Sequence, residues 1–479
     1  MEHAKTAVEA ALAAGANYAD ARANRLVQES LTLKNGRLAD ANSPEDFGLG
    51  VRVLKDGAWG FAAAPESGAD AARELARRAT ATAEALGAAR GEPVQLGGTA
   101  ETGEASYRTP LEIDPFTVSL DEKLSLLHAC DASMQGADQT VVREANLSFR
   151  REEQWMASSE GAAIHQDLVR SGAGISTTAA ANGTVERRSW PASFGGNYKA
   201  LGWEFALGLD LPSMGPQMRD ESVALCFADP CPEGKRDLIL MGNQLMLQIH
   251  ESVGHPNELD RVFGHEVDLA GSSFATTDKL GGFRYGSDVV NLVADSTVPG
   301  GLDTRGFDDD GVPSGRWHVV KDGIFQGYHT SREWAAAIDE SQSRGTNRAE
   351  GWYNPPIIRI TNLSLMPGTW DLDDLVADTE DGILCDTVKM WSIDQRRLNF
   401  QFTTEIAWEI KDGKRTRMLR KPTYQGQTPE FWASCDAVCD ERHWDLWGVP
   451  NCGKGNPIQV AEMSHGAAPA RFRGVTFVA

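Results

Sequence analysis

This sequence is short of cysteine, of long apolar runs and of positive charge, and each shortage excludes something. Seven cysteines in 479 residues, odd in number and scattered, do not make a disulfide framework and point to a reducing cytoplasm. No stretch approaches the ~20 consecutive apolar residues needed to cross a bilayer, so no membrane partner is expected. Met1 to Leu12 mixes charges into its apolar run and is not expected to act as a secretory signal. Acidic residues outnumber basic ones, 68 to 46, for a net charge of −22. That argues against a nucleic-acid partner, since phosphate contacts need basic surface. The richest basic run, Lys411 to Lys421, centres on Lys411-Asp412-Gly413-Lys414, which reads as the solvated turn of a hairpin.

Hydrophobic residues make up 41% and charged residues 24%, the balance of a soluble globular protein. The length is too great for one compact core, so two or three domains are expected. Helical spacing runs from Glu2 to Ala14, from Ala69 to Leu86 and from Leu120 to Met134. Alternation predicts strands over 17–38, broken at Asn35-Gly36, and again over 48–61, 140–154 and 163–177. The polar stretch Gly91 to Pro115 reads as a long loop. Leu209 to Asp220, with Pro212, Gly215 and Pro216, has linker chemistry and divides the chain into residues 1–215 and 220–479. Beyond it, strands are expected at Arg236–Ile239, Val289–Val293, Trp317–Lys321, Ile324–Tyr328, Ile357–Leu363, Gly382–Thr387 and Asn399–Ile410.

The second part contains the most informative segment, Gly242 to Pro256, which holds His250-Glu251-Ser252-Val253-Gly254-His255. Neutral imidazole is a common zinc ligand, and a carboxylate beside a ligating histidine can take a proton from activated water. The spacing is unusual. At about 100° per residue, positions i and i+5 lie roughly 140° apart on a regular helix and cannot close on one ion. Either a π-bulge restores the face, or the helix ends near Gly254 because Pro256 pushes His255 out of the α region. Two histidines simply satisfied at a helix end remain the plain alternative.

A catalytic zinc usually has three protein ligands. The best third candidate is Cys452, flanked by glycine and near Lys454, which would favour the thiolate; a buried free cysteine is the competing reading. Cys435 and Cys439 stand at helical core spacing and are expected to pack. Cys226 and Cys231 read as strand ends. His265-Glu266 suits either an outer partner of the site or the surface. Asp308-Asp309-Asp310 lacks the spaced ligands of a calcium loop and reads as a solvated turn.

These residues resemble the TldD/PmbA family, and within it the TldD-like metallopeptidase branch, over nearly the whole chain. His250-Glu251-Ser252-Val253-Gly254-His255 is similar to that branch's H-E-x-x-x-H motif. Ser43 to Val53 through Trp59-Gly60-Phe61, Arg305 to Pro313, Gly345 to Arg348, Pro355 to Asn362 and Pro367-Gly368 are similar to family segments in the family's order. Cys452 sits where the branch keeps its cysteine ligand, while Pro256 departs from the pattern. The resemblance implies an α+β fold, an N-terminal mixed α/β domain followed by a strand-rich C-terminal metal-binding domain. It implies one Zn2+ per active subunit, held by His250, His255 and Cys452, with Glu251 as general base. It also implies a peptide substrate held as an extended strand, and a homodimer or a heterodimer with a metal-free PmbA/TldE-like paralogue. Rival readings are a non-proteolytic binding or regulatory subunit, in peptide maturation or gyrase modulation, and a metal hydrolase of a non-peptide amide.

Overall fold

The computed structural model describes residues 1–65, 68–88, 93–98 and 102–478. The first part is a nine-stranded sheet. Its centre is three long strands, Tyr18–Lys34, Thr140–Ser158 and Ala163–Ala181, paired antiparallel. On one face, Ala19, Ala21 and Ala23 meet the alanine-rich helices Glu2–Ala13 and Ala69–Gly87 in a single buried cluster. Small side chains let these layers approach closely: a Cβ on Gly60 would lie 1.9 Å from the Ala79 carbonyl oxygen. Farther along, Leu31, Leu33, Leu147 and Phe149 pack against helices Leu120–Ser133, Trp203–Gly208 and Leu211–Leu225.

The second part is strand-rich, as expected. Five strands of its eight-stranded sheet close on themselves: Gly234–Leu240, Asp381–Ile393, Asn399–Lys411, Thr423–Gln427 and Ala470–Val478. Closure follows because Thr423–Gln427 pairs on both sides. Beside this ring lie the hairpin Asp445–Lys454/Gln459–Ala467 and a small four-stranded sheet. One continuous core spans all three.

Several expectations change. The Leu209–Asp220 linker is mostly the helix Leu211–Leu225. Pro212 sits in its first turn, where no N–H is needed. Gly215 allows close packing on Leu120–Ser133, since a Cβ there would lie 1.9 Å from Ser133 Oγ. Within Gly91 to Pro115, part of which lies outside the described residues, Glu104–Arg108 is a strand that pairs parallel to Ala163–Ala181. Ile324–Tyr328 keeps only Ile324–Phe325 as strand, and Ile357–Leu363 only Ile357–Ile358, with Leu363–Leu365 separate. Cys435 lies on a strand, not a helix, although both it and Cys439 pack in the core as expected. Cys226 caps a helix.

The largest change concerns Asp308-Asp309-Asp310. All three are buried, not solvated. They meet the second face of the N-terminal sheet, whose side chains are polar. Arg22 pairs with Asp309 at 3.0 Å, Arg52 with Asp310 at 2.7 Å, and Gln154 Nε2 donates to Asp309 at 2.8 Å. This face is a polar junction between the two parts of the chain.

Candidate metal centre

The helix that follows Gly234–Leu240 is regular over Gly242–Ile249, widens into a π turn at His250–Gly254 and tightens to a 3-10 turn at His255–Asn257. The extra residue in the wide turn brings the two histidines to one side, with ring centroids 4.7 Å apart and nearly perpendicular. Pro256 does not expel His255 from the α region; its φ and ψ are −59° and −40°. What Pro256 removes is an N–H. The Ser252 carbonyl would ordinarily accept from that position, and the Tyr285 hydroxyl donates to it instead at 2.5 Å. Asn257 Nδ2 likewise donates to the Val253 carbonyl at 2.7 Å. Gly254 packs closely on Ile360, whose Cδ1 would lie 2.7 Å from a Cβ there.

Cys452 arrives from the hairpin strand Asp445–Lys454, just after a bulge in its pairing with Gln459–Ala467. Its Sγ lies 3.4 Å from His255 Nε2. One ligand atom from each of His250, His255 and Cys452 lies within 4.8 Å of the others. Usual zinc bond lengths and a tetrahedral angle require roughly 3.5 Å between ligand atoms, so small adjustments would seat one ion. All three side chains are buried.

The electrostatics suit a cation. Burial holds the His250 pKa down at about 4, so the imidazole is neutral and able to ligate. Burial alone would raise the Cys452 thiol; the charges of His255 and Arg359 and the hydrogen bond from His255 outweigh it and lower the pKa. Cys130, Cys231, Cys435 and Cys439 are pushed up by burial to about 12. Lys454 does not play the part expected of it. Its ammonium lies 2.7 Å from Asp260 and 3.4 Å from Glu258.

Glu251 lies beside the cluster, buried. Its Oε1 accepts from Trp391 Nε1 at 3.0 Å and its Oε2 from Arg397 at 2.6 Å. Trp391 comes from the outer half of Asp381–Ile393, and Arg397 from the following turn at φ 61°.

An outer set of residues escaped the sequence. His255 Nδ1 meets Glu258 Oε2 at 2.7 Å. His250 Nδ1 lies 2.8 Å from His465 Nε2, and His465 Nδ1 lies 2.8 Å from the Leu363 carbonyl. Glu258 carried a usable signal, three positions after His255 on a helical stretch. His465 carried none, being 215 residues from its partner. The other candidates lie apart from the cluster: His265 is exposed and edge-on to Trp334, while Glu266 faces Arg261 at 3.8 Å and the Gly455 N–H at 3.4 Å.

Fold and donor set define an α+β protein with a buried His-His-Cys cluster suited to one metal ion and a carboxylate beside it. Family comparison then supplies the lineage. Residues 19–83, 113–211 and 234–478 match, in order, the PmbA/TldA metallopeptidase domain 1, central domain and C-terminal domain. The chain belongs to the PmbA/TldD family of metallopeptidases. It is 28% identical to a Methanocaldococcus jannaschii protein named a metalloprotease, covering 93% of this chain and 94% of that one. It is also 28% identical to a Haemophilus influenzae protein named a metalloprotease TldD homolog, over 93% and 90%. Among solved structures, TldE from Thermococcus kodakarensis has the same fold, with TM-score 0.74, 15% identity and full coverage of both chains.

Proposed function

We propose that this chain is a zinc-dependent peptidase acting on unfolded or extended peptides, with Glu251 as general base. The observation that carries this reading is the convergence of His250, His255 and Cys452 beside Glu251, from segments almost 200 residues apart. Relatives named metalloproteases, one of them a zinc metalloprotease TldD homolog from Saccharolobus solfataricus, support the same class. Zinc, when bound, supplies Lewis-acid polarisation of the scissile carbonyl and of water. Glu251 takes the proton of the attacking water and delivers it to the leaving amine nitrogen. Trp391 and Arg397 hold that carboxylate in place.

The substrate strand has a candidate edge. Asp381–Ile393 pairs with Asn399–Lys411 along most of its length, but Gly234–Leu240 covers its other side only at residues 382–385. Among the described residues no strand pairs with that side of 388–393, the segment that carries Trp391 beside Glu251. A peptide added there would be held through its backbone, with little demand on sequence. Among the described residues no helix is long and apolar enough to cross a membrane. The proposal includes a dimer, either of two copies or with a TldE-like paralogue; the likeness to a TldE structure suits the second arrangement. A purely regulatory subunit is disfavoured because it would need none of the four site residues together.

The test pairs elemental analysis with digestion of an unstructured protein such as casein. The wild-type chain should carry one zinc and cleave. Glu251→Gln should keep the zinc and lose at least ~10²-fold in rate. A wild-type chain without bound metal, or an active Glu251→Gln variant, would overturn the reading.

A further inference from the structure

We propose that His465 is a positioning residue that fixes the tautomer of His250, so that His250 presents its bare Nε2 to the metal; this rests on the metal reading above. The argument runs inward from a backbone carbonyl. The Leu363 oxygen can only accept, so His465 Nδ1, 2.8 Å away, carries a proton and donates it. His465 is fully buried, and its two nitrogens meet a carbonyl and an imidazole instead of a carboxylate. A second proton would leave a cation in the core without a counter-charge, so the ring is neutral and Nε2 is bare. His250 Nδ1, 2.8 Å from that nitrogen, must then be the donor. The remaining nitrogen of His250, Nε2, is left with its lone pair free.

Each link in this chain is held by the fold. Leu363 belongs to the strand Leu363–Leu365 and His465 to the strand Gln459–Ala467, and the Ser364 hydroxyl accepts from the Gly466 N–H at 3.0 Å. The two strands therefore keep the carbonyl and the ring in fixed register. The π turn brings His250 to them. The other histidine is oriented differently: His255 Nδ1–H donates a hydrogen bond to the Glu258 carboxylate. The pair is thus asymmetric. One ligand has an anionic partner, while the other has a neutral relay ending on the main chain. A ligand whose partner is lost can rotate or change tautomer, and such outer partners are typically worth 10–100-fold in metal affinity.

The experiment compares His465→Leu and His465→Gln in the full chain. Gln keeps an acceptor near the Nε2 position, whereas Leu fills the space without one. Zinc affinity is read by chelator competition, and the tautomer of His250 by 15N-histidine NMR of the metal-free protein. The expected result is a wild-type His250 protonated at Nδ1, a mixture with protonated Nε2 in His465→Leu, and zinc binding weakened 10–100-fold there. His465→Gln should recover affinity to within a few-fold. Unchanged affinity and tautomer in His465→Leu overturns this inference and leaves the peptidase reading intact. Absence of zinc from the wild type overturns the peptidase reading, while the metal-free NMR arm still tests the tautomer. Should His465→Leu fail to fold, a metal-free wild type with His250 protonated at Nε2 overturns the inference.

Discussion

Asp167 illustrates how single groups in this chain balance burial against charge. Burial pushes its carboxyl up, but hydrogen bonds and charge from Arg151, with those of Arg108, prevail and leave the pKa lowered. Arg151 forks onto both of its oxygens at 2.8 Å. A carboxylate depressed on folding adds stability above the ordinary aspartate range, and that contribution fades as pH falls through the folded value. Urea midpoints of the wild type should therefore drop on acidification more steeply than those of Asp167→Asn; parallel curves would refute this. Glu251 has the same character. Burial raises its pKa, His255, Arg397, His250 and the Trp391 hydrogen bond lower it, and the net shift is downward. It is an ionised acceptor held by two donors. The sequence marked Glu251 through its neighbour His250, but nothing in it marked Trp391 or Arg397, which reach it across 140 and 146 residues.

At the scale of one element, the segment Gly242 to Asn257 changes its winding twice within sixteen residues. Spacing five apart already required such a distortion. Which distortion occurs depends on partners elsewhere: Ile360 packs closely on Gly254, and Tyr285 supplies the donor that Pro256 lacks. Tyr285→Phe should leave the buried Ser252 carbonyl short of a partner. The expected cost is about 1–3 kcal/mol of unfolding free energy, together with weaker zinc retention. Full stability and full metal content in that variant would show that the hydroxyl is dispensable. The Leu211–Leu225 helix teaches a related lesson. Its two prolines and glycine resembled linker chemistry, yet Pro212 suits a first turn, Gly215 a close helix contact, and Pro216 lies inside the helix.

Across the whole molecule, the second face of the N-terminal sheet decides how the parts join. Asp20, Arg22 and Asn24 alternate with alanines, as on a sheet with one face in water. In the folded chain they are buried, and Arg22, Arg52 and Gln154 of this face bond directly to Asp309 and Asp310. Such polar burial is tolerable only with partners, and Asp309 has three: Arg22, Gln154 and the Ala349 N–H. Arg22→Leu should strand that carboxylate and cost about 3–5 kcal/mol in urea unfolding. Adding Asp309→Leu to it should recover part of the loss; a double variant as unstable as the sum of the two single ones would exclude direct coupling.

The sequence by itself determined many of the local elements, because hydrophobic period, alanine-rich helices and turns such as Asn35-Gly36 and Asp412-Gly413 act within a few residues. It also singled out His250, Glu251 and His255, because their motif is short, and offered Cys452 through its glycine flanks and the family resemblance. Only the tertiary structure decided which groups surround them. His465, Arg397 and Glu258 do their work through distances and proton placement, and a buried aspartate run differs from a solvated one only in what folds against it. Those are properties of neighbours remote along the chain, which no local pattern encodes.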